Sequence, residues 1–266
     1  MWIATLAPMS GAGAIGTSTW TPEELRGRVE GARWYHTLEL APGIATPGMF
    51  DHRPYVPRYG LPEDLSGARA LDVGTLDGFW AFELERRGAR VTALDVDRPE
   101  DLDWPAGLRA AGEARRAEGA QLADGHGFEI ARRALGSSVE RVPISVYDAI
   151  PEALGGPFDL VFCGSVLIHL RDPMLALERM AALCRGRLVL AEEYSRRLEW
   201  LPRVTVAEFR AHTPWMTWWR PTSRTWLAMV TCAGFADARR HARFQLGFRD
   251  RRGGVPHVVV HARGSA

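Results

Sequence analysis

Residues 70–79, Ala-Leu-Asp-Val-Gly-Thr-Leu-Asp-Gly-Phe, constrain this chain more than any other stretch. An apolar run stops at Gly74, three residues follow, and Gly78 opens an amphipathic segment reading Phe79 to Glu85. A second run, Arg90 to Leu94, finishes on Asp95. Strand, glycine turn, helix, strand and terminal acid make a βαβ unit, because parallel strands need a crossover helix to lie side by side. Gly74 and Gly78 let the backbone approach a ligand where a Cβ would collide. Asp95, at the carboxyl end of its strand, is placed to accept both hydroxyl hydrogens of a ribose. A ribose-bearing ligand is therefore expected.

The turn does not suit every nucleotide. A dinucleotide fingerprint needs a middle glycine, which G-x-x-x-G lacks, so a nicotinamide-dependent oxidoreductase is disfavoured. A phosphate loop needs a lysine, and all 33 basic residues here are Arg. The stretch instead resembles motif I of the class I S-adenosylmethionine-dependent methyltransferases, in which an acid precedes the first glycine; Asp72 is that acid. The resemblance covers about Leu61 to Ala262 and implies S-adenosylmethionine as cofactor. It implies that Asp72 acts through water or backbone on the methionine end, and that Gly74, Thr75, Asp77 and Gly78 face the ligand. Val96 would pack on the adenine and Asp148 would accept the adenine amino hydrogen. Gly164 and Ser165 would border the sulfonium.

The remaining chain reads as alternating strands and helices. Arg141–Val146, Phe158–Ser165 and Arg187–Glu193 are strands three to five. Helices cover Gly127–Leu135, Met174–Cys184 and Thr222–Gly234, and closing strands cover Ala236–Phe244 and Pro256–Ala262. This predicts an α/β fold, a doubly wound, mainly parallel seven-stranded Rossmann-like sheet with an antiparallel edge. Residues 1–20 are expected to be a disordered leader. Residues 21–60 form an N-terminal cap over the site, its first helix started by Thr21-Pro22-Glu23-Glu24. Residues 61–266 form the methyltransferase domain, with a tryptophan-rich, substrate-side insertion at 194–220.

Candidate acceptor-binding residues are Tyr35, His36 and His52 in the cap, Glu192 and Tyr194 at the end of the fifth strand, and Trp218 in the insertion. For each, core packing or a solvated surface is the competing role. His169 is the candidate catalytic base, with a structural hydrogen bond beneath the site as its alternative. The surrounding Leu167-Ile168-His169-Leu170-Arg171-Asp172-Pro173 is similar to a stretch in many small-molecule methyltransferases and in the wobble-uridine tRNA-modifying group.

A net charge of +1 advertises neither nucleic acid nor an anionic membrane, and no stretch approaches the ~20 apolar residues of a membrane span. Three widely spaced cysteines and the absence of H-x-x-x-H spacing give no expectation of a disulfide or a metal site. A cytoplasmic enzyme that O- or N-methylates a small molecule in an enclosed pocket is the expectation, in specialised metabolism. The alternatives are a tRNA-modifying alkyltransferase, an enzyme that cyclises S-adenosylmethionine and releases methylthioadenosine, and a non-enzymatic protein that keeps the ligand site.

Overall fold

The computed structural model describes residues 20–110, 124–201, 203–210 and 216–264. The expected leader therefore lies outside the described residues, apart from Trp20, as does most of the polar stretch from Gly107 to Leu122. Seven strands form the central sheet: β3 (Arg69–Val73), β4 (Arg90–Leu94), β5 (Glu140–Val142), β6 (Phe158–Gly164), β7 (Cys184–Glu193), β10 (Ala236–Gly247) and β11 (Gly254–Arg263). Their order is β10-β11-β7-β6-β3-β4-β5. The five from β3 to β7 run parallel, and β11 pairs antiparallel with both β7 and β10. The doubly wound, mainly parallel seven-stranded sheet read from the sequence is the observed one.

Period-two alternation divides the core into two layers. Ala70, Val91, Ala93, Leu160, Phe162 and Val189 face one side, under α1 (Pro22–Glu30), α2 (Phe79–Arg86) and α3 (His126–Ala134). Leu71, Val73, Leu94, Val161, Cys163 and Leu188 face the other, under α4 (Pro173–Leu183) and α5 (Ser223–Cys232). Thr21 caps α1 through a reciprocal box with Glu24, with Pro22 in the first turn. Thr222 and Asp172 cap α5 and α4 through their side chains. Among the described residues, no helix is long and apolar enough to cross a membrane.

Several boundaries differ from expectation. β5 ends at Val142 rather than Val146, because Pro143 has no N–H to continue the ladder and the chain turns into a 3-10 segment at Val146–Asp148. β7 begins at Cys184, directly on the end of α4. In the insertion, β8 (Ala207–Phe209) and β9 (Trp219–Pro221) form a two-stranded ribbon. Besides α1, residues 21–60 contain a small hairpin, β1 (Glu39–Ala41) with β2 (Ile44–Ala45), followed by short helical turns at 53–59. This segment docks on the sheet's antiparallel edge: Phe50 bridges to Phe248, and the Arg249 N–H donates to the Met49 carbonyl at 2.9 Å.

Candidate active site

The turn after β3 is suspended from the end of β4. The Gly74 and Thr75 N–H groups donate to the Leu94 carbonyl at 2.9 and 3.2 Å. Gly74 sits at φ +75°, where a Cβ would lie 2.3 Å from Val166 Cγ2. Gly78, at φ +92°, opens α2, and a Cβ there would strike the rings of Phe82 and Phe128. Both glycines are required by backbone conformation and by close packing.

Asp95 stands at the end of β4, as expected, and is half-buried. Its Oδ2 accepts the Leu76 N–H at 2.7 Å and its Oδ1 the Val96 N–H at 2.8 Å. Burial raises its pKa against those two bonds and the nearby Arg141 charge. Each oxygen retains lone-pair capacity for a diol. Asp72, only 1% exposed, lies under the turn, and its pKa is pushed up to about 7 by burial. Among the described residues, Asp72 Oδ2 and Thr75 Oγ1 are buried without a hydrogen bond of ordinary geometry, and the neighbouring Thr75 hydroxyl works against the burial shift of Asp72. Orphaned polar atoms beside a glycine turn fit a ligand that brings its own donors and acceptors. With the diol-sized acceptor pair at Asp95, the cradle fits S-adenosylmethionine.

Asp77 is committed to the cap. Its Oδ2 accepts the N–H groups of Tyr35 and His36 at 2.8 and 2.9 Å, and its Oδ1 meets His36 Nδ1 in a buried hydrogen-bond contact. One carboxylate thus fastens the N-terminal segment to the glycine turn. The His36 ring lies 5.1 Å from that of His52 and 5.7 Å from that of Phe79. His52 Nδ1 meets the Tyr59 hydroxyl at 2.9 Å, and its ring packs edge-on against Trp80. Burial, followed by the His36 and His257 charges, keeps the His52 pKa well below the ordinary imidazole range.

Ser165 follows β6 at φ +56°, a left-handed conformation uncommon outside glycine. Its Oγ lies 2.7 Å from His257 Nε2. His257 Nδ1 lies 3.1 Å from the Val255 carbonyl, which can only accept, so Nδ1 carries the proton and Nε2 accepts from Ser165. Burial lowers the His257 pKa to about 4, which keeps the ring neutral. Sequence reasoning missed His257: it sits in an apolar run, and only the antiparallel return of β11 beside β7 brings it to Ser165.

The other expected residues are distributed as follows. Gly164 lies at the end of β6, and Val96 directly after Asp95. Asp148 is exposed, in the 3-10 turn beyond β5. Glu192 is fully buried, and its Oε1 accepts the Val166 and Leu167 N–H groups at 3.0 and 2.9 Å. Burial pushes its pKa up to about 8. Tyr194 packs in the second core layer. His169 Nδ1 donates to the Met216 carbonyl at 3.1 Å, and the Trp218 N–H donates to the Ile168 carbonyl, so this turn is tied to the insertion. Trp218 is 1% exposed, edge-on to Trp104, with Nε1 donating to the Asp103 carbonyl. Asp103 was also missed; its carboxylate accepts from the Tyr147 hydroxyl and from Arg171.

Comparison with known proteins agrees with this geometry. A family model described as a methyltransferase domain matches residues 52–242. The ubiquinone biosynthesis O-methyltransferase of Xylella fastidiosa (strain 9a5c) is 32% identical over 159 residues, covering 55% of this chain and 54% of that protein. Its namesake from Xanthomonas oryzae pv. oryzae (strain PXO99A) is 35% identical over 133 residues, covering 48% and 44%. The chain thus spans about half the length of these curated relatives or less. Among solved structures, the N-terminal domain of EvdMO1 with SAH bound superposes with a TM-score of 0.65 at 18% identity, covering 94% of this chain and 99% of that one. That likeness is one of fold. The family match extends from the cap through the glycine turn and all five parallel strands into β10, and the chain belongs to the methyltransferase-domain family.

Proposed function

We propose that the chain transfers the methyl group of S-adenosylmethionine to a hydroxyl of a small molecule held between the cap, the carboxyl ends of β3 and β6, and the start of the antiparallel β11. The observation that carries this reading is the buried His36–Asp77 pair, which joins the cap to the turn proposed to hold the methyl donor. The ubiquinone biosynthesis O-methyltransferases, by their name, act on oxygen, and this supports oxygen over nitrogen here.

S-adenosylmethionine supplies an electrophilic methyl carbon on a charged sulfur. The protein's share is to bind, align and exclude water. Asp95 accepts the ribose hydroxyls, while Asp72 and Thr75 meet the methionine end. A hydroxyl attacks well only if its proton can leave, and three imidazoles gather at the site. His52 and His257 are held neutral by burial. His36 alone among the three has a carboxylate against its ring, and that carboxylate compensates the positive charge of a ring that takes a proton. With Nδ1 engaged by Asp77, Nε2 is the nitrogen that would take the acceptor's hydroxyl proton.

Calorimetric titration with S-adenosylmethionine and S-adenosylhomocysteine tests the donor. Binding of both is expected, and affinity for neither would overturn the reading. Chromatography of the turnover products is expected to yield adenosylhomocysteine; methylthioadenosine would instead establish a cyclising enzyme.

A further inference from the structure

A cleft of about 490 Å³ lies at the opposite end of the sheet from the glycine turn, where β6 and β7 begin and β11 ends. Its volume falls within the range of small-ligand sites. Four guanidinium groups line it, Arg185, Arg187, Arg239 and Arg263, against two carboxylates, Asp159 and Asp237. Both carboxylates are used. Asp159 takes Arg185 in a two-pronged contact at 2.8 and 3.0 Å, and Asp237 takes Arg263 at 2.9 Å. Among the described residues Arg187 and Arg239 have no ion pair, although Arg at thirteen other positions does.

The register increases the crowding of charge. Arg187 lies directly opposite Arg263 across β7 and β11, and Arg239 lies opposite His261 across β10 and β11. Like charges directly opposite on neighbouring strands repel. His261 registers this field. Its Nε2–H donates to the Tyr59 carbonyl at 2.9 Å and its ring stacks on His241. Burial first, then the His241 charge and after it those of Arg187 and Arg239, push its pKa down to about 4 against the bond to Tyr59. The chain as a whole is nearly neutral, so this cleft concentrates positive charge that the fold leaves uncompensated. Guanidinium groups are built for two-pronged contact with phosphate oxygens.

We infer that this cleft is a second binding site, for an anion of the pyrophosphate class, with Arg187 and Arg239 as its principal contacts. The phosphates come either from a free polyphosphate or from a nucleoside diphosphate, whose base would lie against the half-buried Pro62 at the cleft's edge.

The test is calorimetric titration of the full chain with inorganic pyrophosphate and, separately, with ADP. Binding of pyrophosphate is expected with a dissociation constant on the order of 1 mM or tighter at low salt. ADP binding more tightly than pyrophosphate assigns the nucleotide as the source, and the reverse order assigns the free anion. The Arg187→Gln/Arg239→Gln pair is expected to weaken either ligand at least ~10-fold, while an Arg196→Gln/Arg197→Gln control, away from the cleft, leaves it unchanged. Thermal melting with and without pyrophosphate is a second measure: the ligand raises the melting temperature of the parent and not of the cleft variant. No binding of either ligand, or equal loss in both double variants, would overturn the inference. S-adenosylmethionine affinity is expected to be the same in every variant, which separates this outcome from that of the methyl-transfer reading.

Discussion

Asp77 and His36 form a buried pair in which one carboxylate holds both the ring of His36 and the backbone N–H of the same residue. The N-terminal segment and the glycine turn are therefore tied at one point. Under the proposed function, an acceptor held by that segment would be registered against a donor held by the turn, with the His36 ring where the two meet.

Replacing either partner is expected to stop turnover without releasing the donor. His36→Gln removes the proton acceptor, and general-base removal costs roughly 10²–10⁴ in kcat. Asp77→Asn keeps a carbonyl for the Tyr35 and His36 N–H groups but turns an amide donor toward Nδ1. The ring then places its proton on Nε2, the wrong tautomer for accepting one. A loss of at least ~10² in kcat is expected there too, with S-adenosylmethionine affinity unchanged by calorimetry. Full activity in Asp77→Asn would show that the pair only fastens the cap.

Asp95 already accepts two backbone N–H groups, so its charge is focused at the carboxyl end of β4. Asp95→Asn is expected to lower S-adenosylmethionine affinity by roughly 10–100-fold, the worth of one charge-assisted hydrogen bond at about 1.5–3 kcal/mol. Calorimetry reads it. An affinity unchanged by the substitution would place the sugar elsewhere.

How much of this was legible in the sequence follows from the range of each interaction. The glycine turn, Asp72 and Asp95 lie within 24 consecutive residues, and their local pattern sufficed to place them at the ends of β3 and β4. Pro143 marked the end of β5, yet the alternating Ile144 and Val146 concealed it. The roles of Asp77, Glu192 and His257 could not be read this way. Each depends on a partner 25 to 92 residues distant, brought near only by the strand order. Asp77 is expected from its place in the turn to face the cofactor, and three of its acceptor positions are taken by Tyr35 and His36. Trp218, expected to wall the acceptor pocket, is buried with its ring edge-on to Trp104, a contact that only the fold reveals.

Gly74 tests the packing of the turn. Gly74→Ala adds a side chain at φ +75° and places it 2.3 Å from Val166 Cγ2. The backbone cost is about 1–2 kcal/mol and the overpacking cost about 1–3 kcal/mol. A fall in melting temperature of roughly 5–15 °C is expected, read by circular dichroism. Adding Val166→Ala is expected to recover the overpacking part and leave the backbone part. Complete recovery would mean that the left-handed conformation costs nothing there.

Glu192 gives a pH signature with a defined sign. Its carboxyl is fully buried, and its folded pKa is raised to about 8 by burial, well above the unfolded value of about 4.3. Between those values the unfolded chain releases a proton that the folded chain keeps, so this group's contribution to stability falls as pH rises. The same holds for Asp72 up to about 7, while His257 and His261, lowered to about 4, act in the opposite sense up to the ordinary imidazole range. Glu192→Gln removes only the Glu192 contribution and keeps a carbonyl for the Val166 and Leu167 N–H groups. The stability of the variant relative to the parent is expected to rise with pH from about 4.5 to about 8, by up to ~1.4 kcal/mol per pH unit, and then to level off. Urea unfolding at pH 5 and pH 8 measures the difference. The amide's own burial cost is the same at both values, so the slope carries the test: parallel pH profiles would mean that Glu192 ionises in the folded chain as readily as in water.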